Sequence, residues 1–365
     1  MLYTLYFALF FVFAIWLDFS QISLRKKQQV VIIIFVLLTF LVGIRNPLLW
    51  SDSYGYQVVF NEDTKTLATF SFHDTPRAYT EFGFYLLGVV LKSVYNNSTF
   101  YFVGISCLSF YFLYKFDKEY CMFPMIALCV YMGRFLGGRN MIQIRAGLAI
   151  PIVLLATKYA ANQKIWKFLL VIAVGYYLHH SALMALPLYF INKVKISQKM
   201  ICLSLAFSFG IALFLGGFIK SFITNFDLAN ELAGSYIQEG SEKAYSNSLL
   251  NPMIYYQSII LLIFTLNEKS LKPYMKYYYT IRNGYFYSTI LLILLYQFAI
   301  LAARTSTIFA TYEMCMVPMF LLLFKRHKNL SIAILLFVYI SFFYMNWKPA
   351  ELSDIEMQEL RNSTF

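Results

Sequence analysis

Apolar runs about 15 to 22 residues long recur from one end of this chain to the other. Each is close to the ~20 residues a helix needs to cross a hydrocarbon core about 30 Å thick. A lipid-facing strand edge would leave backbone polar groups unsatisfied, so the runs read as helices. The fold class is therefore all-α, a polytopic helical membrane protein. Composition agrees: 60% of residues are hydrophobic and 13% are charged, the latter about half the share usual in soluble domains. The first run, 2–19, has neither a basic start nor a small-residue cleavage site, so it reads as a retained helix rather than a signal peptide.

A net charge of +12 would suit nucleic acid as a partner, but the placement of the basic residues argues against that. They fall in six short clusters that alternate with the apolar runs: Arg25 to Lys27, Lys115 and Lys118, Lys158 to Lys167, Lys193 to Lys199, Lys269 to Arg282, and Lys325 to Lys328. These hold 18 of the 30 basic residues, and the positive-inside rule assigns all six to the cytoplasm. Both termini then lie outside.

Twelve transmembrane helices follow, at 2–19, 28–44, 99–114, 119–136, 141–157, 166–178, 181–192, 200–219, 252–266, 284–303, 305–324 and 330–346. The run 82–95 does not fit as a crossing, because it would invert every later loop, and it reads as a re-entrant or interfacial helix. Two long extracytoplasmic loops remain, 45–81 and 220–250, of a length usual for binding loops or lids. No repeat or linker divides the chain, so 1–365 is a single transmembrane domain. The five cysteines lie in apolar runs without paired spacing, which indicates neither a disulfide framework nor a zinc site.

Separating lysine from arginine is informative. The six clusters hold 15 Lys and 3 Arg, whereas the other basic residues are 5 Lys and 7 Arg. Arg45, Arg134, Arg139, Arg145 and Arg304 fall at or just inside the outer helix ends, where a permanent charge is costly unless paired or hydrated. A guanidinium offers a rigid fork that grips phosphate through two bonds, while an ammonium is a hydrated point charge. This pattern points to an outward-facing phosphate site. The alternative is that the arginines snorkel to lipid phosphates or pair with outer-loop carboxylates such as Asp52, Asp74 and Glu81. In NMIQIRAGLAIPIVLL, residues 140–155, Gln143 follows Arg139 by four and would share its helix face.

Residues 166–191 lie between two lysine-marked loops, yet they number only about 26, where two full crossings need about 40. His179 and His180, in GYYLHHSALMALP, then sit at the tip of a short hairpin that stops below the outer surface. A titratable group at that depth is a functional candidate, and imidazole can accept a proton near neutrality. Hydrogen bonding of the pair to Tyr176 or Tyr177 is the plainer alternative. No third ligand stands nearby for a metal. Glu313, in TSTIFATYEMCMVPMF, is a carboxylate near the middle of a span, expected to be protonated or paired with a buried arginine. No Asp-x-Asp motif, phosphate-cradling glycine loop or Gly-x-Ser-x-Gly elbow is present, which disfavours a cytoplasmic nucleotide-sugar donor.

Four stretches, taken in order, resemble the EpsG-type, Wzy-like O-antigen and exopolysaccharide polymerase family: VGIRNPLLWSDSYGYQVVF, RNMIQIRAGLAIPIVLL, YYLHHSALMALPL and ARTSTIF, spanning 42–309. They are similar to the family's Gly-x-Arg…Asp-Tyr signature, Arg-Gln-x-x-Ala helix, His-x-Ser-Ala hairpin and late Arg-x-Ser-x-Phe. Two departures stand out. NPLLWS separates Arg45 from Asp52, and Ala146 follows Arg145 where the family usually has Gln.

The resemblance implies roles for Arg45, Asp52, Tyr56, Arg145, His180 and Arg304. It also implies a reaction at the outer face of the bacterial cytoplasmic (inner) membrane. The partners would be an undecaprenyl-pyrophosphate-linked oligosaccharide donor and a lipid-linked acceptor, among membrane lipids, with a chain-length regulator as a further candidate. An acceptor hydroxyl would attack the anomeric carbon and the lipid diphosphate would leave, with no cofactor and no obligatory metal. Arg45, Arg145 and Arg304, with Arg139 and Arg134 in reserve, would offset the departing charge. His180 is the first choice of base and Asp52 the second; His179, Gln143, Tyr56 and Glu313 are candidates for substrate contact or support. The rivals are a glycan ligase, a membrane acyltransferase, and a flippase for the same lipid-linked glycan. A flippase would be expected to show repeated halves and several carboxylates along its path.

Overall fold

The structure is a computed structural model that describes residues 2–73, 81–224, 248–324, 327–347 and 349. Among the described residues it is helical throughout, without strands. In chain order the helices that matter here are α1 (Leu2–Phe19), α2 (Leu24–Gly43), α3 (Ser53–Val58), α4 (Phe82–Val94), α5 (Ser98–Tyr120) and α6 (Pro124–Tyr131). They continue with α7 (Ile144–Leu154), α8 (Thr157–Ala161), α9 (Ile165–Leu178), α10 (Pro187–Ile191), α11 (Gln198–Thr224), α12 (Pro252–Leu266), α13 (Glu268–Leu271), α14 (Tyr278–Leu294), α15 (Ala299–Ala310), α16 (Glu313–Met316) and α17 (Lys328–Asn346). A wider π-helical stretch, Met132–Ile142, extends α6.

Among the described residues, seven segments are long and apolar enough to cross a membrane: Leu2–Phe19, Arg25–Gly43, Ser98–Tyr120, Ile144–Ala161, Gln198–Ile219, Leu301–Leu322 and Lys328–Asn346. The other five of the twelve expected spans have shorter or interrupted helical counterparts. Ile165–Leu178, His180–Ile191 and Pro252–Leu266 are short apolar helices, α14 has 17 residues, and the run 124–142 changes from α- to π-helical pitch. Boundaries also move. Lys115 and Lys118 lie inside α5, and the break expected at Arg304 falls instead at residues 295–298.

The basic clusters gather at one end of the bundle. Lys27 Nζ donates to the carbonyl of Asp18 at 2.8 Å, the Asp18 carboxylate accepts from the Ile126 N–H that opens α6 (2.9 Å), and Lys328 Nζ lies 3.5 Å from the centre of the Phe19 ring. Glu119 meets both Lys158 (2.9 Å) and Lys276 (3.9 Å). Arg282 donates to the carbonyl of Ile196, and Asn192 to that of Ala160. At the opposite end the start of α1 meets the end of α17 through Tyr3 and Trp347, which also contacts Trp50. Residues 350–365 and most of the loop 220–250 lie outside the described residues.

The helix at 82–95 is real but short. Its 13 residues rise about 20 Å, and it crosses the upper turns of α5, where Phe84 meets Tyr101 and Leu91 meets Gly104. The hairpin read from 166–191 is present as α9 going up, a 3₁₀ turn over His180–Ala185, and α10 going down.

Candidate functional site

The hairpin tip carries His179, which ends α9 in extended backbone (φ −163°, ψ 123°) and leads into the 3₁₀ turn. The head of α4 comes to meet it, because Gly83 lets the two backbones approach. A Cβ at Gly83 would sit 2.6 Å from the carbonyl oxygen of Tyr177. Glu81, immediately before α4 and 6% exposed, is thereby placed against the tip.

Three donors converge on its carboxylate. His179 Nδ1 lies 2.7 Å from Oε1, the main-chain N–H of His180 donates to the same oxygen at 3.2 Å, and Arg145 Nη1 is ion-paired with Oε2. Arg145 opens α7, and its Nε donates to Tyr56 Oη at 3.1 Å. Burial alone would raise the pKa of Glu81. The hydrogen bond from His179 and the positive charge of Arg145 outweigh burial and hold it at about 2. It is an anion throughout the physiological range.

Arg45 stands beside this group. It is 8% exposed, with its guanidinium 4.3 Å above the Phe102 ring. Nη1 donates to the carbonyl of Val42 (2.7 Å), while Nε and Nη2 both donate to Ser53 Oγ (3.2 and 3.1 Å). Burial pulls its pKa down to about 10, so it remains cationic at neutral pH. The aromatic floor is made of Tyr56, Phe60, Phe84 and Tyr101.

The structure separates the predicted residues into two groups. Arg145 and His179 meet on Glu81, Tyr56 bonds Arg145, and Arg45 lies within electrostatic reach of Tyr56. Arg134, Arg139 and Glu313 form a second, internal network. Arg139 is 4% exposed and gives Nη1 to Thr311 Oγ1 and Nη2 to Thr307 Oγ1, both at 2.7 Å. Arg134 Nε lies 3.7 Å from Glu313 Oε2, and the fully buried Glu313 accepts from Tyr256 (3.2 Å) and Tyr285 (3.1 Å). Of the two expectations for Glu313, protonation or pairing with a buried arginine, the geometry gives an arginine neighbour, although Arg134 is only partly buried. Arg304 lies half-buried on α15, which packs against α7 and the turn after the histidines.

Several expectations need correction. Arg139 and Gln143 do not share an α-helical face, because the π-helical stretch ends at Gln143 (φ −90°, ψ 62°) and α7 begins anew. The imidazole bonded to the carboxylate is that of His179, whereas the His180 ring stacks on Tyr176 at 4.8 Å and contributes its backbone N–H. Asp52 is exposed at the head of α3, and its carboxylate accepts only a long bond from Ser51 (3.4 Å) among those described, with none from Arg45, Arg145 or His179. Its neighbour Ser53 is the residue that is built in.

The sequence offers Glu81 as one of three outer-loop carboxylates that could pair with the arginines, and Arg145 is the arginine it meets; Asp74 lies outside the described residues. The one local signal at Glu81 is its place at the head of an isolated apolar helix. Among the described residues, no three His, Cys, Asp or Glu side chains are grouped to hold a metal ion.

No curated protein and no solved structure matches the chain. Residues 29–355, nearly its whole length, match the EpsG family. The match spans both the arginine-bearing loop after α2 and the histidine hairpin, and the chain accordingly belongs to the EpsG family, as a membrane protein of the polysaccharide-polymerase type.

Proposed function

We propose that this protein polymerises glycan at the membrane face opposite the lysine loops, the outer face of the bacterial cytoplasmic membrane. The donor is a growing chain on undecaprenyl pyrophosphate, and the acceptor is a hydroxyl of a second lipid-linked repeat unit. The observation that carries this proposal is the convergence of Arg145 and His179 on one buried carboxylate, Glu81, with Arg45 alongside.

A carboxylate bonded to Nδ1 fixes the imidazole tautomer and leaves Nε2 as the proton acceptor, the arrangement used in hydrolytic triads. In the proposed step the acceptor oxygen forms a bond to the anomeric carbon as the bond from that carbon to the diphosphate oxygen breaks. His179 Nε2 takes the hydroxyl proton, and the diphosphate leaves with the bonding pair. Arg45, Arg145 and Arg304 offset its charge. Oriented cations in a water-poor site stabilise such a departing anion more strongly than water would, so the step calls for no nucleotide. Arg139 and Arg134, committed to the internal network, hold helices in place and do not grip substrate.

Purified protein supplied with lipid-linked repeat units and no nucleotide should build a ladder of lengthening glycan. Transfer to a lipid A core without a ladder would indicate a ligase instead, and absence of any transfer by folded protein would contradict the proposal.

A further inference from the structure

We infer that Glu81 is the resting counter-ion of Arg145 and occupies the seat that the substrate's diphosphate takes, so that donor binding displaces the carboxylate from the arginine. This rests on the reading of the site as a diphosphate-leaving centre and adds a binding role for a residue that the sequence offered only as a partner for the arginines.

The geometry is that of an anion seat already filled. A side-chain guanidinium, an imidazole nitrogen and a main-chain N–H aim at the two oxygens of one carboxylate. Such a set of donors recognises phosphate oxygens as readily as carboxylate oxygens. The two oxygens are divided between different partners. Oε1 is held by the hairpin, through His179 Nδ1 and the His180 N–H, and Oε2 is held by Arg145.

Arg145 can therefore exchange Oε2 for a diphosphate oxygen while Oε1 keeps the imidazole oriented. The exchange suits the difference in charge, since a diphosphate carries more negative charge than a carboxylate and offers a guanidinium two oxygens at once. Glu81 immediately precedes α4, a short helix, and is not part of a full-length span. A carboxylate still held by His179 beside an incoming diphosphate opposes it by Coulomb repulsion. With the seat empty, Arg145 would hold any passing anion; with Glu81 in it, only a ligand able to outcompete a carboxylate enters.

The proposal predicts opposite effects on binding and turnover. Glu81→Gln has the same shape, keeps an acceptor for the His180 N–H, and loses the charge that opposes diphosphate. Inorganic pyrophosphate, titrated calorimetrically into the purified full-length protein, should bind Glu81→Gln about tenfold or more tighter than the wild type. Arg145→Gln should abolish that binding. With lipid-linked repeats, the KM of Glu81→Gln for donor should fall while kcat also falls, because His179 loses its anionic partner.

Should Glu81→Gln not elute as a folded species, Glu81→Ala serves: it empties the seat, removes the charge, and should also bind pyrophosphate more tightly than wild type. Unchanged or weaker binding in these variants, with binding still lost in Arg145→Gln, would overturn the counter-ion role and leave the diphosphate site standing. No pyrophosphate binding by any folded form would overturn both.

Discussion

Ser53 Oγ donates to the main-chain carbonyl of Met141 at 2.6 Å, across 88 residues of sequence, while accepting from Nε and Nη2 of Arg45. One buried hydroxyl thus fastens the loop after α2 to the π-helical stretch and aims Arg45. That stretch also reaches the other arginines. Gly147 of α7, two residues after Arg145, packs so closely on the carbonyl of Arg139 that a Cβ there would lie 2.5 Å from it. Arg139 itself bonds Thr307, one turn along α15 from Arg304. A helix of unusual pitch therefore sets the spacing of three cations that are far apart in sequence.

Ser53→Ala leaves the Met141 carbonyl and two Arg45 N–H groups short of a buried partner. The expected cost is about 1 to 3 kcal/mol, read as a lower unfolding midpoint of purified protein in detergent. Polymerising activity should fall further than stability, because Arg45 loses its aim.

Arg145→Lys should fold and elute as the wild type does, yet lose most polymerising activity. An ammonium cannot bond Tyr56, hold Glu81 and present a fork to phosphate together. The glycan length distribution in cells carrying only the variant checks this; long chains at wild-type abundance would remove Arg145 from the site.

His179→Ala should lower kcat by about 10² to 10⁴, the usual contribution of a positioned proton acceptor. His180→Ala should cost far less, since its backbone N–H, the part bonded to Glu81, survives the substitution. Single-turnover rates with purified lipid-linked repeats distinguish the two.

The pH dependence of stability has a definite sign at Glu81. Its pKa is lowered in the folded protein to about 2 from 4.5, so its stabilising contribution is complete above about pH 4.5 and is lost as pH falls toward 2. The shift corresponds to about 3 kcal/mol. Unfolding midpoints should decline between pH 4.5 and 2 in the wild type, with a shallower decline in Glu81→Gln.

How much of this was legible in the sequence depends on the range of the interaction. The histidine hairpin could be read because lysines mark both its ends and 26 residues cannot cross twice. The outer arginines could be read because their side chains depart from the lysine usage of the loops. Glu81 could be offered as one of three carboxylates for the arginines, but not matched to Arg145 and His179, since these lie 64 and 98 residues away and such contacts leave no periodicity. Which histidine faces the carboxylate depends on a local switch from α to 3₁₀ pitch at the tip. The same holds for Arg139 and Gln143, where the π-helical stretch through Gly133, Gly137 and Gly138 defeats a count of four residues per face. Asp52 matched its motif by position, but the chain turns it to solvent and builds in Ser53.

The central claim is that a lipid diphosphate departs as each glycosidic bond forms. The most direct measurement is the amount of free undecaprenyl pyrophosphate released per linkage made by purified protein with lipid-linked repeats and no nucleotide. The account predicts one released per linkage, with release and linkage lost together in Arg145→Lys; linkages made without free lipid diphosphate, or release undiminished in that variant, would contradict it.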